Sequence, residues 1–132
     1  MNVKKYLFAS AAVFVAFQVL DFIFHGLIMS DIYKGLSGLW RPDMMSYMWI
    51  FYLGGVVLAL TFTYIFVKGY EGKGIMEGVR FGIVAGLFMY VVGMFGQYAM
   101  YPIPFSLALY WFLYGMVQFV IGGIIASLIY KP

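Results

Sequence analysis

The sequence predicts an all-α integral membrane protein, a bundle of four transmembrane helices, and three observations lead to this class. Of the 132 residues, 65% are hydrophobic and 10% are charged, whereas soluble domains carry about 45–50% apolar and about 25% charged residues. Four apolar stretches are each long enough to cross a hydrocarbon core about 30 Å thick. These stretches are apolar on every side, whereas the strands of a membrane barrel alternate apolar and polar residues. The composition excludes a soluble domain and a disordered chain.

The four predicted spans cover residues 6–29, 46–67, 79–100 and 105–130 of a single domain, 1–132. Helix breakers separate them: glycines and Pro42 in the first connection, a glycine-rich charged segment in the second, and Pro102 and Pro104 in the third. The first span follows a basic start and begins like a secretory signal. Its apolar run is longer than a signal core and no small-residue cleavage site follows, so we expect this helix to be retained.

The distribution of cations predicts the topology. Six lie on one side of the predicted spans and two on the other: Lys4, Lys5, Lys68, Lys73, Arg80 and Lys131 against Lys34 and Arg41. Cytoplasmic loops carry an excess of Lys and Arg, so both termini are expected in the cytoplasm. We expect a multi-pass protein of the bacterial inner (plasma) membrane.

Two of the spans are similar to each other. Trp49-Ile-Phe-Tyr52 and Trp111-Phe-Leu-Tyr114 occupy equivalent places in spans two and four, and each span ends near a Lys. Two interpretations stay open. The chain is a 2+2 repeat of helical hairpins, as some transporters are, or the likeness is chance between spans that share interfacial aromatics and a terminal Lys.

The first span carries a narrow polar stripe, because Gln18, Asp21 and His25 fall on one face of a helix. An ionisable residue at mid-bilayer costs at least about 2.5–3.5 kcal/mol, so it normally faces the bundle interior and finds a partner. Asp21 and His25 are four residues apart and are expected to pair directly. Two roles stay open for them: a structural pair that fixes helix register, or a proton- or ligand-binding group.

Further polar residues are predicted at the same level of the bundle, which indicates a small outward-facing polar pocket. Its expected lining residues are Gln18, Asp21, His25, Gln97 and Gln118, and its expected mouth residues are Trp40, Arg41 and Tyr98. A glutamine in a span commonly forms a hydrogen bond to a neighbouring helix, so a structural role is the alternative for both of the later glutamines. Glu71 and Glu77 are interpreted as solvated charges near lipid headgroups.

Glycines line one face of the third span and recur in the fourth. These are Gly78, Gly82, Gly86 and Gly93, followed by Gly122. Because helices in lipid associate through close contact of small residues, the glycines predict helix packing inside the bundle. A hinge or a dimer interface is the alternative.

Several function classes are excluded or disfavoured. The chain has no Cys, so it has no disulfide, no thiolate zinc site and no Cys nucleophile. With one His it lacks the H-E-x-x-H motif, and its glycines form no phosphate-binding motif. The net charge is +3, but the cations do not cluster, so nucleic acid is not an expected partner. No catalytic residue is identified, which favours a protein that is not an enzyme.

The order of features resembles families of small four-helix bacterial integral membrane proteins, the domains of unknown function. The likeness rests on three segments: Leu20-Asp21 late in the first span, Tyr33 with Gly35-Leu36, and Glu77-Gly78-Val79-Arg80-Phe81-Gly82 before a glycine-rich span. It implies a helical bundle and no particular activity.

Three functions are therefore considered, in this order. The first is a non-catalytic structural or accessory subunit of a larger membrane complex. The second is a small transporter or permeation unit with Asp21 and His25 as proton or cation groups. The third is a redox subunit that binds quinone, haem or a metal near His25, with a Met as the second metal ligand. No cofactor is predicted for the first two, and the expected partners are the lipid bilayer and other membrane subunits or further copies of the chain.

Overall fold

A computed structural model describes residues 1–131, and within this range the chain is helical with no strand. Helix α1 continues directly into a π-helical turn, and a short α2 and a 3-10 helix fill the first connection. The bounds are α1 Val3–Asp21, π-helical turn Phe22–Ile28, α2 Ser30–Lys34, 3-10 helix Met44–Tyr47, α3 Met48–Lys68, α4 Ile75–Met100 and α5 Phe105–Tyr130.

Four of these segments are long and apolar enough to cross a membrane: Val3–Ile28, Met44–Lys68, Ile75–Met100 and Phe105–Tyr130. The predicted all-α class with four long apolar helices is thus confirmed. Local chemistry explains where the helices begin and end. The Asn2 side chain accepts a hydrogen bond from the Lys5 backbone N–H at 3.1 Å, which caps α1. Pro102 and Pro104 separate α4 from α5.

The helices run antiparallel to their chain neighbours. Helix α1 packs against α3 and α5, and α4 packs mainly against α5. We call the end with both termini and the 69–74 connection the terminal end, and the end with the 29–47 and 101–104 connections the loop end. The cytoplasmic location of the terminal end stays a prediction.

Glycines bring the backbones of α4 and α5 into direct contact. A Cβ added at Gly78 would lie 2.1 Å from the carbonyl oxygen of Gly123, and one added at Gly82 would lie 2.4 Å from that of Phe119. Gly123, which the sequence analysis did not select, is equally close: its Cβ would lie 2.0 Å from the Gly78 oxygen. No L side chain fits at these positions without moving a backbone.

The other predicted packing glycines differ among themselves. A Cβ at Gly86 would meet the sulfur of Met116 at 2.7 Å, and one at Gly122 would meet the ring of Phe17 at 2.7 Å. Gly93 is an exception to the expected close packing, since a Cβ there would meet no atom within 4 Å. At this level large side chains separate the two helices, with Phe95 stacked on Phe105 at 5.9 Å between ring centroids.

The second connection is held by Glu77, which corrects its interpretation as a solvated charge. Glu77 is buried, and its two carboxylate oxygens accept the backbone N–H groups of Glu71 at 2.6 Å and of Lys73 at 2.7 Å. Gly72 and Gly74 have φ values of +74° and +81°, which favour glycine and allow the chain to turn there. Glu71 remains an exposed charge, paired with Lys73 at 2.8 Å.

Helix α3 is packed at only one of its ends. Near the terminal end it buries Phe62, Thr63 and Phe66 against the other helices. Near the loop end, the five consecutive residues Trp49–Leu53 are all exposed, the least exposed being Ile50 at 48%. Five residues cover more than one complete turn of 3.6 residues, so this part of α3 has no face packed against the rest of the chain.

Candidate functional site

The candidate site begins where α1 changes its hydrogen-bonding pattern. Asp21 is the last residue of α1, and the following π-helical turn carries His25 at its centre. π-Helical turns are rare and occur frequently at functional sites. The sequence does not predict this turn. The run Phe22-Ile-Phe-His-Gly-Leu-Ile28 has several weak helix formers, but nothing in it distinguishes a π-helix from an α-helix.

Asp21 belongs to a hydrogen-bond network that joins three helices. Its Oδ1 accepts the Tyr114 hydroxyl at 2.5 Å and the Gln118 amide nitrogen at 3.2 Å, both from α5. Gln118 Oε1 in turn accepts the Tyr90 hydroxyl of α4 at 3.0 Å. We call Asp21, Tyr114, Gln118 and Tyr90 the Asp21 network. It links α1, α4 and α5 through side chains that are buried or partly buried.

His25 belongs to a second network, which holds the first connection. Its Nδ1 lies 2.5 Å from the Tyr33 hydroxyl oxygen. The same oxygen accepts a hydrogen bond from Trp111 Nε1–H at 2.8 Å. Trp40 Nε1–H donates to the Tyr33 carbonyl at 3.1 Å. We call His25, Tyr33, Trp111 and Trp40 the His25 network.

The His25 network determines which ring nitrogen carries the proton in neutral His25. Burial raises the pKa of the Tyr33 phenol, so its hydroxyl keeps its proton. Because this hydroxyl accepts from Trp111, its single hydrogen is available for His25. Nδ1 is then the acceptor, and the imidazole proton is placed on Nε2.

The expected direct pair between Asp21 and His25 is wrong. Asp21 takes its donors from α5 and His25 takes its partner from α2. The π-helical turn begins directly after Asp21, so the i, i+4 spacing of an α-helix does not apply between the two residues. The networks meet instead at Tyr114, whose ring centroid lies 5.5 Å from that of His25.

Each of these two residues has one polar atom to spare. Among the hydrogen bonds of residues 1–131, Asp21 uses only Oδ1 and His25 uses only Nδ1. The Asp21 side chain is partly buried and His25 is exposed. Asp21 Oδ2 is thus able to bind a proton or a cation, and His25 Nε2–H is able to donate to a polar ligand, without loss of the existing bonds.

The remaining predicted site residues lie outside both networks, with one exception. Gln18 lies against α3, where its Nε2 would be 2.9 Å from a Cβ added at Gly55. Gln97 contributes its backbone carbonyl, which accepts the Tyr101 N–H at 2.8 Å at the end of α4. Of the mouth residues, Trp40 is the exception, since it joins the His25 network.

Arg41 and Tyr98, the other two mouth residues, make contacts of their own. Arg41 lies 3.4 Å from an Asp43 carboxylate oxygen and 4.5 Å from the ring centroid of Tyr47. Tyr98 packs edge-on against Phe105 at 5.4 Å. Three of the five predicted lining residues, Asp21, His25 and Gln118, are therefore brought together, and their polar atoms bond to neighbouring side chains.

The sequence did not point to the tyrosine partners of the site, Tyr33, Tyr90 and Tyr114. One signal was present. Trp111, Tyr114 and Gln118 are spaced i, i+3 and i+7, so they share one face of α5 opposite the polar stripe of α1. Amphipathic rings at helix ends are so common in membrane proteins that this stripe did not stand out.

Metal ligands are sparse around His25. Residues 1–131 contain no group of three or more His, Cys, Asp and Glu side chains able to hold a metal ion. Met29, the methionine closest to His25 in sequence, is buried in an apolar cluster with Ile103 and Leu107. The redox alternative stays a prediction.

The two networks are the most distinctive polar features of the fold. Comparisons of the chain with known protein families, with curated proteins and with solved structures find no match.

Proposed function

We propose that the protein is a small multi-pass membrane protein that serves as a non-catalytic accessory subunit of a larger membrane assembly. The observation that carries this proposal is the uncovered loop-end part of α3, Trp49–Leu53. Gly54 follows directly, and a Cβ there would meet no atom within 4 Å. Small residues let a second helix approach closely in lipid. We propose that a helix of a neighbouring subunit packs against this part of α3.

The two hydrogen-bond networks support a structural role for the polar residues. The Asp21 network holds α1, α4 and α5 in one register, and the His25 network holds the first connection against α5. Neither network includes a residue of α3. The chain thus consists of a fixed three-helix unit and a fourth helix that is uncovered on all sides near the loop end, which suits a subunit that docks through α3.

Site-specific crosslinking in native membranes tests the docking surface. A photoreactive amino acid at Phe51, which is 64% exposed on α3, is expected to give an adduct of defined mass with a different protein. The matched control is Phe88, which is 88% exposed on α4 and is expected to label lipid alone. Extraction in a mild detergent should recover the same partner at fixed stoichiometry.

Two results would contradict the accessory role. One is lipid labelling alone at Phe51, together with a lone monodisperse chain after extraction. The other is an adduct formed only between two differently tagged copies of this chain, which would indicate a homo-oligomer without a larger complex.

Proton or cation transfer is a second candidate function, and two groups favour it: the free acceptor Asp21 Oδ2 and the free donor His25 Nε2–H. An ionisable residue within an apolar helix is a functional candidate by default, and here it lies beside a π-helical turn. In liposomes, Asp21→Asn is expected to reduce flux to the rate of protein-free vesicles, because the amide cannot take up a proton or a cation. His25→Ala is expected to do the same.

The control for this measurement is Asp31→Asn, which changes an exposed carboxylate in α2 and should leave flux unchanged. Asp21→Asn and Asp31→Asn both keep the size of the side chain. The melting temperature of each variant shows separately whether the substitution has impaired folding. Absence of flux from the native protein would rule out this second function and would leave the accessory role intact.

A further inference from the structure

A cleft of about 330 Å³ lies between α3 and α4 near the terminal end. Its walls are apolar and come from both helices, while its rim is charged and belongs to the second connection and the start of α4. The lining residues are Ile65, Phe66, Gly69, Glu71, Glu77, Arg80, Phe81 and Val84. The volume falls within the range of about 300–1,000 Å³ that is usual for small-molecule sites.

The two carboxylates at the rim already have partners. Both oxygens of Glu77 accept backbone N–H groups of the second connection. Glu71 pairs with Lys73 at 2.8 Å, and the hydrogen bond and charge of Lys73 hold the pKa of Glu71 below its usual range. Neither carboxylate therefore needs the third charged group at this rim, which is Arg80.

Arg80 is a cation without a partner at the edge of an apolar cleft. Within residues 1–131 its exposed side chain makes no hydrogen bond and no salt bridge. A guanidinium carries five N–H donors in a planar fork that matches a phosphate group. Next to it, Ile65 and Val84 are 61% and 67% exposed, so the cleft continues as an open apolar surface along both helices.

We propose that this cleft binds an anionic membrane phospholipid, with the lipid phosphate at Arg80 and one acyl chain between α3 and α4. Three features converge on this ligand: a guanidinium without a hydrogen bond or salt bridge, carboxylates with partners beside it, and apolar walls from two helices that meet at Phe66 and Phe81. A lipid would complete the contact between α3 and α4.

Lipid titration followed by native mass spectrometry tests the proposal on the full chain. The probes are phosphatidylglycerol and phosphatidylcholine with identical acyl chains. The native protein is expected to bind the anionic lipid about fivefold more tightly, the effect of one cation near an anionic headgroup. Arg80→Gln should remove this preference. Lys4→Gln, which removes a cation of the same end outside the cleft, should keep it.

A second variant tests the apolar part of the site. Val84→Trp places a large ring in the cleft and should weaken the binding of both lipids while leaving the preference in place. Inorganic phosphate and glycerol phosphate should not displace the anionic lipid, because they lack the acyl chain. Equal affinity of the native protein for the two lipids, a preference unchanged in Arg80→Gln, or displacement by free phosphate would each overturn the proposal.

Discussion

Replacing Gly123 by alanine is expected to destabilise the protein by about 3 kcal/mol, the upper range for overpacking a buried contact. The added Cβ would lie 2.0 Å from the carbonyl oxygen of Gly78 and 3.3 Å from the backbone nitrogen of Gly82. These are backbone atoms, so no side-chain rotation relieves the clash, and α4 and α5 must move apart. The measurement is the free energy of unfolding in mixed micelles, from a denaturing detergent titration.

Gly93→Ala is the matched control on α4. A Cβ at Gly93 meets no atom within 4 Å, and alanine is a better helix former than glycine by about 1 kcal/mol. We therefore expect this variant to be as stable as the native protein or slightly more stable. If both alanine variants lost the same free energy of unfolding, close backbone contact between α4 and α5 would be disproved.

Glu77→Gln is expected to lower the free energy of unfolding by about 3 kcal/mol, because two charge-assisted hydrogen bonds are affected. The carboxylate oxygens accept the backbone N–H groups of Glu71 and Lys73. An amide keeps one acceptor oxygen but turns its NH₂ group toward the other backbone donor. One bond is lost, the other is weakened, and the second connection loses its anchor. Thermal unfolding with the same titration measures the loss.

Glu71→Gln is the control, because it changes the same residue type in the same connection. Its carboxylate is exposed and paired only with Lys73, and exposed ion pairs contribute little to stability. The pKa of Glu71 is lowered by Lys73, so its small contribution is present at neutral pH and is lost as the pH falls through the range in which the carboxylate is protonated. Equal destabilisation by the two glutamine variants would show that Glu77 is not the anchor.

The four long helices could be predicted from the sequence, because the length of each apolar stretch can be counted directly in it. Span two was expected at 46–67, and α3 covers Met48–Lys68. The start of α4 differs more, since this helix begins at Ile75 rather than at residue 79. Glu77 had been interpreted as a charge of the second connection. Glu77 instead turns back onto the preceding connection, which allows the helix to begin earlier.

The site was only partly accessible, because its bonds join residues far apart in the chain. The polar stripe identified Asp21 and His25 as candidates, and Gln118, another candidate, donates a hydrogen bond to Asp21. The choice of partners depended on which face of α5 meets α1, and on a π-helical turn without a recognisable sequence pattern. Tyr33 and Tyr114 have the same amphipathic character whether they serve a network or a membrane interface, so composition alone did not separate the two roles.

The direct partners of Asp21 both lie on α5, 93 and 97 residues later in the sequence. In the membrane location proposed here, ribosomal synthesis delivers α1 to the bilayer long before Tyr114 and Gln118 emerge. Until then the Asp21 carboxyl group has no hydrogen-bond donors in the bilayer. An ionisable side chain near the bilayer centre costs about 2.5–3.5 kcal/mol. The Asp21 network therefore forms only after α5 has been made, and a chain truncated before α5 would keep an unsatisfied acid within its first helix.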